Sequence, residues 1–148
     1  MKRFSRGQAL VEFALVLPVL ILILMALFDF GRAILFYNTI SEAARNGARV
    51  AIVNQTPADI CTTVAGRAAA IGLPAACAPN ATAVGVYLTT PSGPGTCAAI
   101  NCVQTVRVTY QFRAITPIIG NLIGPLTLTT TSSVPVESIC LNASCPTT

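Results

Sequence analysis

An apolar run near the N-terminus constrains the fold of this chain more than any other feature. Residues 9–28 contain one charge, and a helix of this length is about 30 Å long, the hydrocarbon thickness of a bilayer. Lys2, Arg3 and Arg6 precede the run in a basic leader, residues 1–7. The small-residue cleavage site of a secretory signal does not interrupt the run, so we expect a retained transmembrane helix. The positive-inside rule predicts a cytoplasmic N-terminus and an extracytoplasmic remainder.

The charge of the chain argues against a nucleic-acid partner. The formal net charge is +4, but Lys2, Arg3 and Arg6 carry three of these charges within the leader. The other six arginines and the five acids form no basic patch in the sequence. We therefore expect no nucleic acid among the partners.

The reactive side chains argue against catalysis. Histidine is absent, Lys2 is the only lysine, and beyond the long helix the acids are Asp59 and Glu137. No nucleophile with its base, carboxylate pair, metal cluster or phosphate loop can be assembled from these residues. The sequence predicts no enzyme, no cofactor and no metal site, and instead a role in binding or assembly.

The carboxylate of Glu12, which lies inside the apolar run, needs a functional explanation. It leaves sixteen apolar residues before Asp29, which marks the far end of the span. In one interpretation, Glu12 reaches the headgroups and pairs with Arg6 or with water. In the other, cleavage after Gly7 creates an amine on Gln8, and the amine of a neighbouring subunit meets the Glu12 carboxylate when helices pack together.

The residues around Glu12 resemble a known processing site. Gly7, with Glu12 at the fifth position after it and the aromatic Phe13 at the sixth, is similar to the processing site of type IV pilin-like proteins. The wider runs GQALVEFALVLPVL and FDFGRAILFYNTISEAARNGARVA resemble the TadE-like family of the tight-adherence (Flp pilus) system. Members of this family are minor pilin-like proteins, or pseudopilins. Phe13 departs from the Glu-Tyr pair that is usual in major Flp pilins.

This resemblance implies a set of partners and a location. A prepilin peptidase would cut between Gly7 and Gln8, and Glu12 and Phe13 would act in assembly through the helix. Other pilins and pseudopilins of the pilus and the inner-membrane assembly platform would be partners. The protein would cross the bacterial cytoplasmic (inner) membrane once and could enter a surface pilus.

Two other functions are open on the residues alone. One is an unprocessed envelope scaffold that stays anchored in the membrane and helps assembly without entering a filament. The other is a membrane-tethered module whose outer part binds an extracellular ligand.

Helical spacing continues beyond the membrane and predicts one helix over residues 8–53, with a kink at Pro18. Asp29–Arg32 and Glu42–Arg45 are possible ion pairs on it. One face of this helix carries an apolar stripe whose side chains become small toward its C-terminal end. We expect the part of the stripe past Tyr37 to pack on the chain's own outer domain, and the part before Tyr37 to contact other subunits. The stripe consists of Phe30, Ala33, Ile34, Tyr37, Ile40, Ala44, Gly47, Ala48 and Ala51.

The remaining residues, 54–148, predict an extracytoplasmic α+β head. Thr56 and Pro57 start a short helix that Gly72 closes. Alternating segments follow near residues 84–88, 106–113 and 126–138, and they predict a small antiparallel sheet of about three strands, as in pilins. Pro135 predicts an edge strand or a break in the third. The apolar loop TPIIGNLIGP between the last two strands is expected to cap the core, with membrane or partner contact as alternatives.

The cysteines predict disulfides in the head. Their even number, six, in an oxidising compartment indicates up to three bridges. Proximity favours Cys97–Cys102 and Cys140–Cys145, which leaves Cys61–Cys77. The rival is a zinc site, because the spacing C-x4-C occurs twice.

Overall fold

The computed structural model describes residues 5–116, 120–121 and 124–140. Its first element, α1, spans Ser5–Ala51 and is about 70 Å long. The helix runs without interruption through Pro18. The first half of α1 is exposed and contains a segment with a mean hydropathy of 2.9. Among the described residues, α1 is the one helix that is long and apolar enough to cross a membrane. The predicted Asp29–Arg32 pair forms, with 3.6 Å between the charged atoms, whereas the described part of the chain contains no Glu42–Arg45 pair.

A second helix, α2, spans Pro57–Arg67 and continues into a short 3₁₀ turn. Its predicted start is confirmed, with Thr56 at the N-cap position and Pro57 in the first turn. The Thr56 hydroxyl, however, caps nothing and is buried without a partner. The Asn54 side chain stabilises this corner instead, because it accepts a hydrogen bond from the Thr56 N–H and donates one to Asp59. Gly72 closes the turn with a φ of +71°, a conformation that glycine adopts easily.

The sheet has four antiparallel strands rather than about three, in the order β2-β1-β3-β4. The additional strand, β2, is only two residues long, and the Thr89 and Thr90 hydroxyls donate to the Gly93 carbonyl across its turn. β4 is an edge strand, as Pro135 predicted. The strand bounds are Gly85–Thr90 for β1, Gly93–Pro94 for β2, Val103–Phe112 for β3 and Leu126–Pro135 for β4.

The hydrophobic core lies between the sheet and the outer end of α1, with α2 packed beside it. Gly47 is the point of closest approach, because a Cβ at this position would overlap the Cγ2 of Val64. The small-residue end of the stripe therefore packs on the chain's own head, as predicted, whereas Phe30, Ile34 and Tyr37 remain exposed. The residues of this core that are almost completely buried include Ile40, Ala44, Ala48, Ala51, Ile60, Val64, Val86, Val106 and Val108.

The strands run along α1 rather than across it. Val106, near the start of β3, faces Gly47, and Phe112, at its end, lies 5.6 Å from the ring of Phe36. β3 is therefore antiparallel to α1, and β4 returns parallel to it. This direction brings the turn between β3 and β4 to the end of the head that is nearest the membrane span.

Disulfides cross-link the head. The predicted bridges Cys61–Cys77 and Cys97–Cys102 are both present. Cys140 is also disulfide-bonded, and Cys145, which was predicted to pair with it, lies outside the described residues. The described cysteines are therefore closed as disulfides rather than open as zinc ligands, as the sequence favoured.

Candidate functional site

The predicted processing and assembly residues lie on the free half of α1. Gly7, Gln8, Glu12 and Phe13 are all helical and exposed, and they are far from the head. Gln8 and Glu12 are four residues apart, so their side chains share one face of the helix. The helix thus presents the proposed cleavage site and the carboxylate together.

Glu12 has no ion-pair partner in the part of the chain that the structure describes. The side chain of Arg6, the partner expected if Glu12 reaches the headgroups, is not among the described side chains. A carboxylate inside the membrane is costly unless it is paired or reaches water. Among the described residues, Glu12 is exposed, and a positive group from another molecule can therefore reach it.

Asp29, the acid just beyond the far end of the span, has the opposite environment. It is only 7% exposed, although it lies on a helix whose neighbouring residues are open. One carboxylate oxygen accepts hydrogen bonds from the hydroxyl and the N–H of Thr116, and the other accepts one from the N–H of Ile115. Arg32 adds the ion pair at 3.6 Å. We call these four residues, Asp29, Arg32, Ile115 and Thr116, the Asp29 clamp.

These hydrogen bonds keep Asp29 ionised. The Thr116 hydroxyl, followed by the Thr116 N–H, lowers the pKa of Asp29 below its ordinary value of 3.8, and burial opposes this change. The Ile115 N–H and the positive charge of Arg32 lower the pKa further. Charge-assisted bonds of this kind are stronger than bonds between neutral groups. The clamp therefore ties the segment that follows β3 to α1.

Aromatic rings extend the clamp into the core. The Arg32 guanidinium lies 5.3 Å from the centre of the Phe36 ring and 5.7 Å from that of Phe112. Phe36 meets both Tyr110 and Phe112 edge to face, at 5.6 Å. Cation–π and edge-to-face contacts at these distances are stabilising. They fix the orientation of Arg32 and so complete the link between α1 and β3.

Two apolar grooves flank the clamp where the head meets the span. The larger has a volume of about 290 Å³ and lies between Phe30 on α1 and Leu126 at the start of β4. The smaller, of about 240 Å³, lies between Met25 and Phe28 on α1 and Ile115 on the other side. The walls of both are almost entirely apolar. The described residues contain no cluster of side chains that could hold a metal ion.

Sequence reasoning missed the partners of three buried polar residues. It placed Asp29 at the end of the span and beside Arg32, but it did not predict Thr116, which lies 87 residues further on. The Gln104 side chain accepts a hydrogen bond from the Cys97 N–H and donates one to the Thr89 carbonyl. These bonds hold the connection between β1 and β3 in place. Gln55 receives the Cys140 N–H and thereby holds the C-terminal segment against the end of α1. In the sequence, a polar residue within an apolar pattern indicates that the side chain will need a hydrogen-bond partner. It does not identify that partner.

The fold and this distribution of exposed apolar surface indicate a single-pass membrane protein with an α+β head. Within that class, residues 7–49 match the family model of TadE-like proteins, which confirms the resemblance over this segment. The match associates the chain with tight-adherence pilus systems, and residues 50–148 lie outside it. Comparisons with curated proteins and with solved structures gave no match.

Proposed function

We propose that this chain is a minor pilin-like (pseudopilin) component of a tight-adherence pilus and secretion system and that it assembles through α1. The observation that carries the proposal is the exposed Glu12, which has no ion-pair partner in the described part of its own chain and lies five residues after Gly7. The match over residues 7–49 supports the same role, because it covers this part of the helix.

The mechanism of assembly depends on two opposite charges, one of which is created by cleavage of the leader. A prepilin peptidase cuts between Gly7 and Gln8 and leaves a positive amine on Gln8. Opposite charges a few Å apart attract far more strongly in hydrocarbon than in water. The amine of one subunit and the Glu12 carboxylate of its neighbour therefore fix the register of adjacent helices. Phe13, which is exposed beside Glu12, supplies apolar contact at the same point.

The head has a different task in this proposal. Its α1 end, α2 and sheet form one packed unit that disulfides hold together, so it can follow α1 as a rigid body. It would contact other minor subunits or the inner-membrane assembly platform. We propose assembly rather than catalysis, because the sequence offers no histidine and no lysine beyond the leader.

The N-terminus of the mature protein tests the proposal. The full chain is purified from membranes of cells with and without the prepilin peptidase, and its first residues are sequenced. We expect a start at Gln8 only where the peptidase is present. An intact mass that retains residues 1–7 in both strains would contradict the proposal and favour the permanently anchored scaffold.

The ligand-binding alternative makes a separate prediction. A membrane-tethered binding module would keep specific ligand binding in a form without the free half of α1. Binding that survives this deletion, combined with normal piliation when the chain is absent, would favour that alternative over assembly.

A further inference from the structure

The end of the head nearest the membrane span is apolar and exposed on both sides of α1. Phe28 is 75% exposed and Ile115 is 71% exposed, and the two residues line one groove. Phe30 and Leu126 are also exposed, and they line the groove on the other side. We call Phe28, Phe30, Ile115 and Leu126 the membrane-end surface. Water is an unfavourable environment for a surface of this kind.

The Asp29 clamp fixes the level of this surface relative to the bilayer. The apolar run, residues 9–28, is about 30 Å long as a helix, which is no more than the hydrocarbon thickness that it has to cross. Phe28 therefore cannot lie far outside the hydrocarbon. Ile115 lines the same groove as Met25 and Phe28 and is bound through its own N–H to Asp29. It is held at the same level.

The charges beside this surface suit lipid headgroups. Arg113 is exposed two residues before Ile115, and the Arg32 side chain is 36% exposed. Among the described residues, the acid at this level is Asp29, and it is covered by its hydrogen bonds from Ile115 and Thr116. Arginine next to exposed apolar side chains is the arrangement of segments that lie in a membrane interface, because the guanidinium binds phosphate while the apolar group enters the acyl region.

We propose that the membrane-end surface is a second contact with the lipid bilayer, in which Ile115 and Leu126 enter the outer leaflet and Arg113 binds headgroup phosphate. The head then rests on the bilayer in one orientation instead of pivoting freely at the end of the span. This contact requires only the transmembrane helix, so it is independent of cleavage after Gly7 and of the pilin-like role.

The absence of tryptophan from the chain allows a direct test. I115W and L126W each introduce one indole at the membrane-end surface, and I100W introduces one at the opposite end of the head, where Ile100 is 58% exposed. Each full-length variant is reconstituted in vesicles of phosphatidylcholine with phosphatidylglycerol. The same is done with lipids brominated near the top of the acyl chains, which quench only indoles that reach this depth.

We expect the brominated lipids to reduce the I115W emission by about twofold or more, because interfacial side chains reach about 5–10 Å into this region, and to leave I100W unchanged. L126W provides a second reporter on the other groove. An I115W indole that bromine does not quench, and that aqueous acrylamide reaches as readily as it reaches I100W, would overturn the proposal. An emission shift that depends on the protein-to-lipid ratio without bromine quenching would also overturn it, since it would show a second copy on this surface.

Discussion

At the scale of single residues, the acids near the two ends of the span, Glu12 and Asp29, have opposite environments. Asp29 is satisfied within the chain by Ile115, Thr116 and Arg32. Glu12 has no ion-pair partner in the described residues and is exposed on the free part of α1. An acid without a partner lowers the stability of the inserted helix. In the proposed function, the amine of a neighbouring subunit is the partner of Glu12.

The substitution Glu12→Gln tests this explanation. It removes the charge with little change in shape, so the helix should insert at least as well as before while the attraction to a neighbouring amine is lost. We expect piliation and surface attachment to fall by about tenfold or more, as for the loss of one close charge pair in a low-dielectric setting. Electron microscopy of surface filaments and an attachment assay measure the result.

Glu42→Gln is the matched control, because Glu42 lies on the same helix and is exposed beyond the span. It should leave piliation unchanged. Equal effects of the two substitutions, or no effect of either, would contradict the assembly role of Glu12.

Protonation of Asp29 should release the end of β3 at low pH. The pKa of Asp29 is lowered in the folded protein, so its bonds contribute full stability above the ordinary value of 3.8 and lose it as the pH falls through the lowered pKa. The NMR shifts of the Ile115 and Thr116 amide protons should follow this titration, with a midpoint below 3.8.

The substitution Asp29→Asn is the reference for this experiment. It should remove the titration and weaken the attachment of Ile115 and Thr116, because a neutral amide oxygen accepts their hydrogen bonds less strongly than a carboxylate does. A midpoint at or above 3.8, or the same titration in the variant, would show that Asp29 does not control these amides.

At the scale of secondary structure elements, α1 and α2 approach each other through one glycine. A methyl group on Gly47 would overlap Val64 and would also lie within 3.6 Å of Ile60. Gly47→Ala should therefore lower the free energy of unfolding by about 1–3 kcal/mol, because a well-packed core accommodates an additional carbon poorly. Chemical denaturation of the full chain in detergent measures the change.

Gly66→Ala provides the control in the neighbouring helix. No atom lies within 4 Å of the position that its Cβ would occupy. Here alanine should be neutral or should stabilise by about 0.5–1 kcal/mol, since it favours the helix more than glycine does. A destabilisation at Gly66 equal to that at Gly47 would contradict the close approach of the two helices.

At the scale of the whole molecule, α1 belongs to two environments. Its first half is exposed and apolar, and its last turns, which include Ile40, Ala44 and Ala48, belong to the core of the head. Motion of the helix along its axis would therefore carry the head with it. This arrangement suits a subunit that is moved by its helix and recognised by its head.

Truncation at two points tests this shared core. A chain of residues 30–148 keeps the buried end of α1 and should unfold cooperatively on heating, with dispersed amide signals in its NMR spectrum. A chain of residues 54–148 loses Ile40, Ala44 and Ala48 from the core and should lack both properties, because the apolar face of the sheet would lose the helix that covers it. A folded 54–148 fragment would contradict the shared core.

The sequence determined much of this protein by itself, because local patterns decide local structure. The apolar run and leader predict the span, and the stripe predicts the buried end of α1. Strict alternation over residues 106–113 predicts the strand that the structure has at Val103–Phe112. Gly7, Glu12 and Phe13 mark the candidate site through their resemblance to the processing site of pilin-like proteins. The TadE-like match confirms the recognition of this segment.

Only the tertiary structure decided which distant residues meet. Thr116 reaches Asp29 because β3 runs antiparallel to α1 and ends at the membrane side. Ile115 reaches the level of Phe28 for the same reason. A hydrogen bond between residues so far apart in the chain leaves no periodic trace in the sequence, since it depends on strand direction and packing rather than on local spacing.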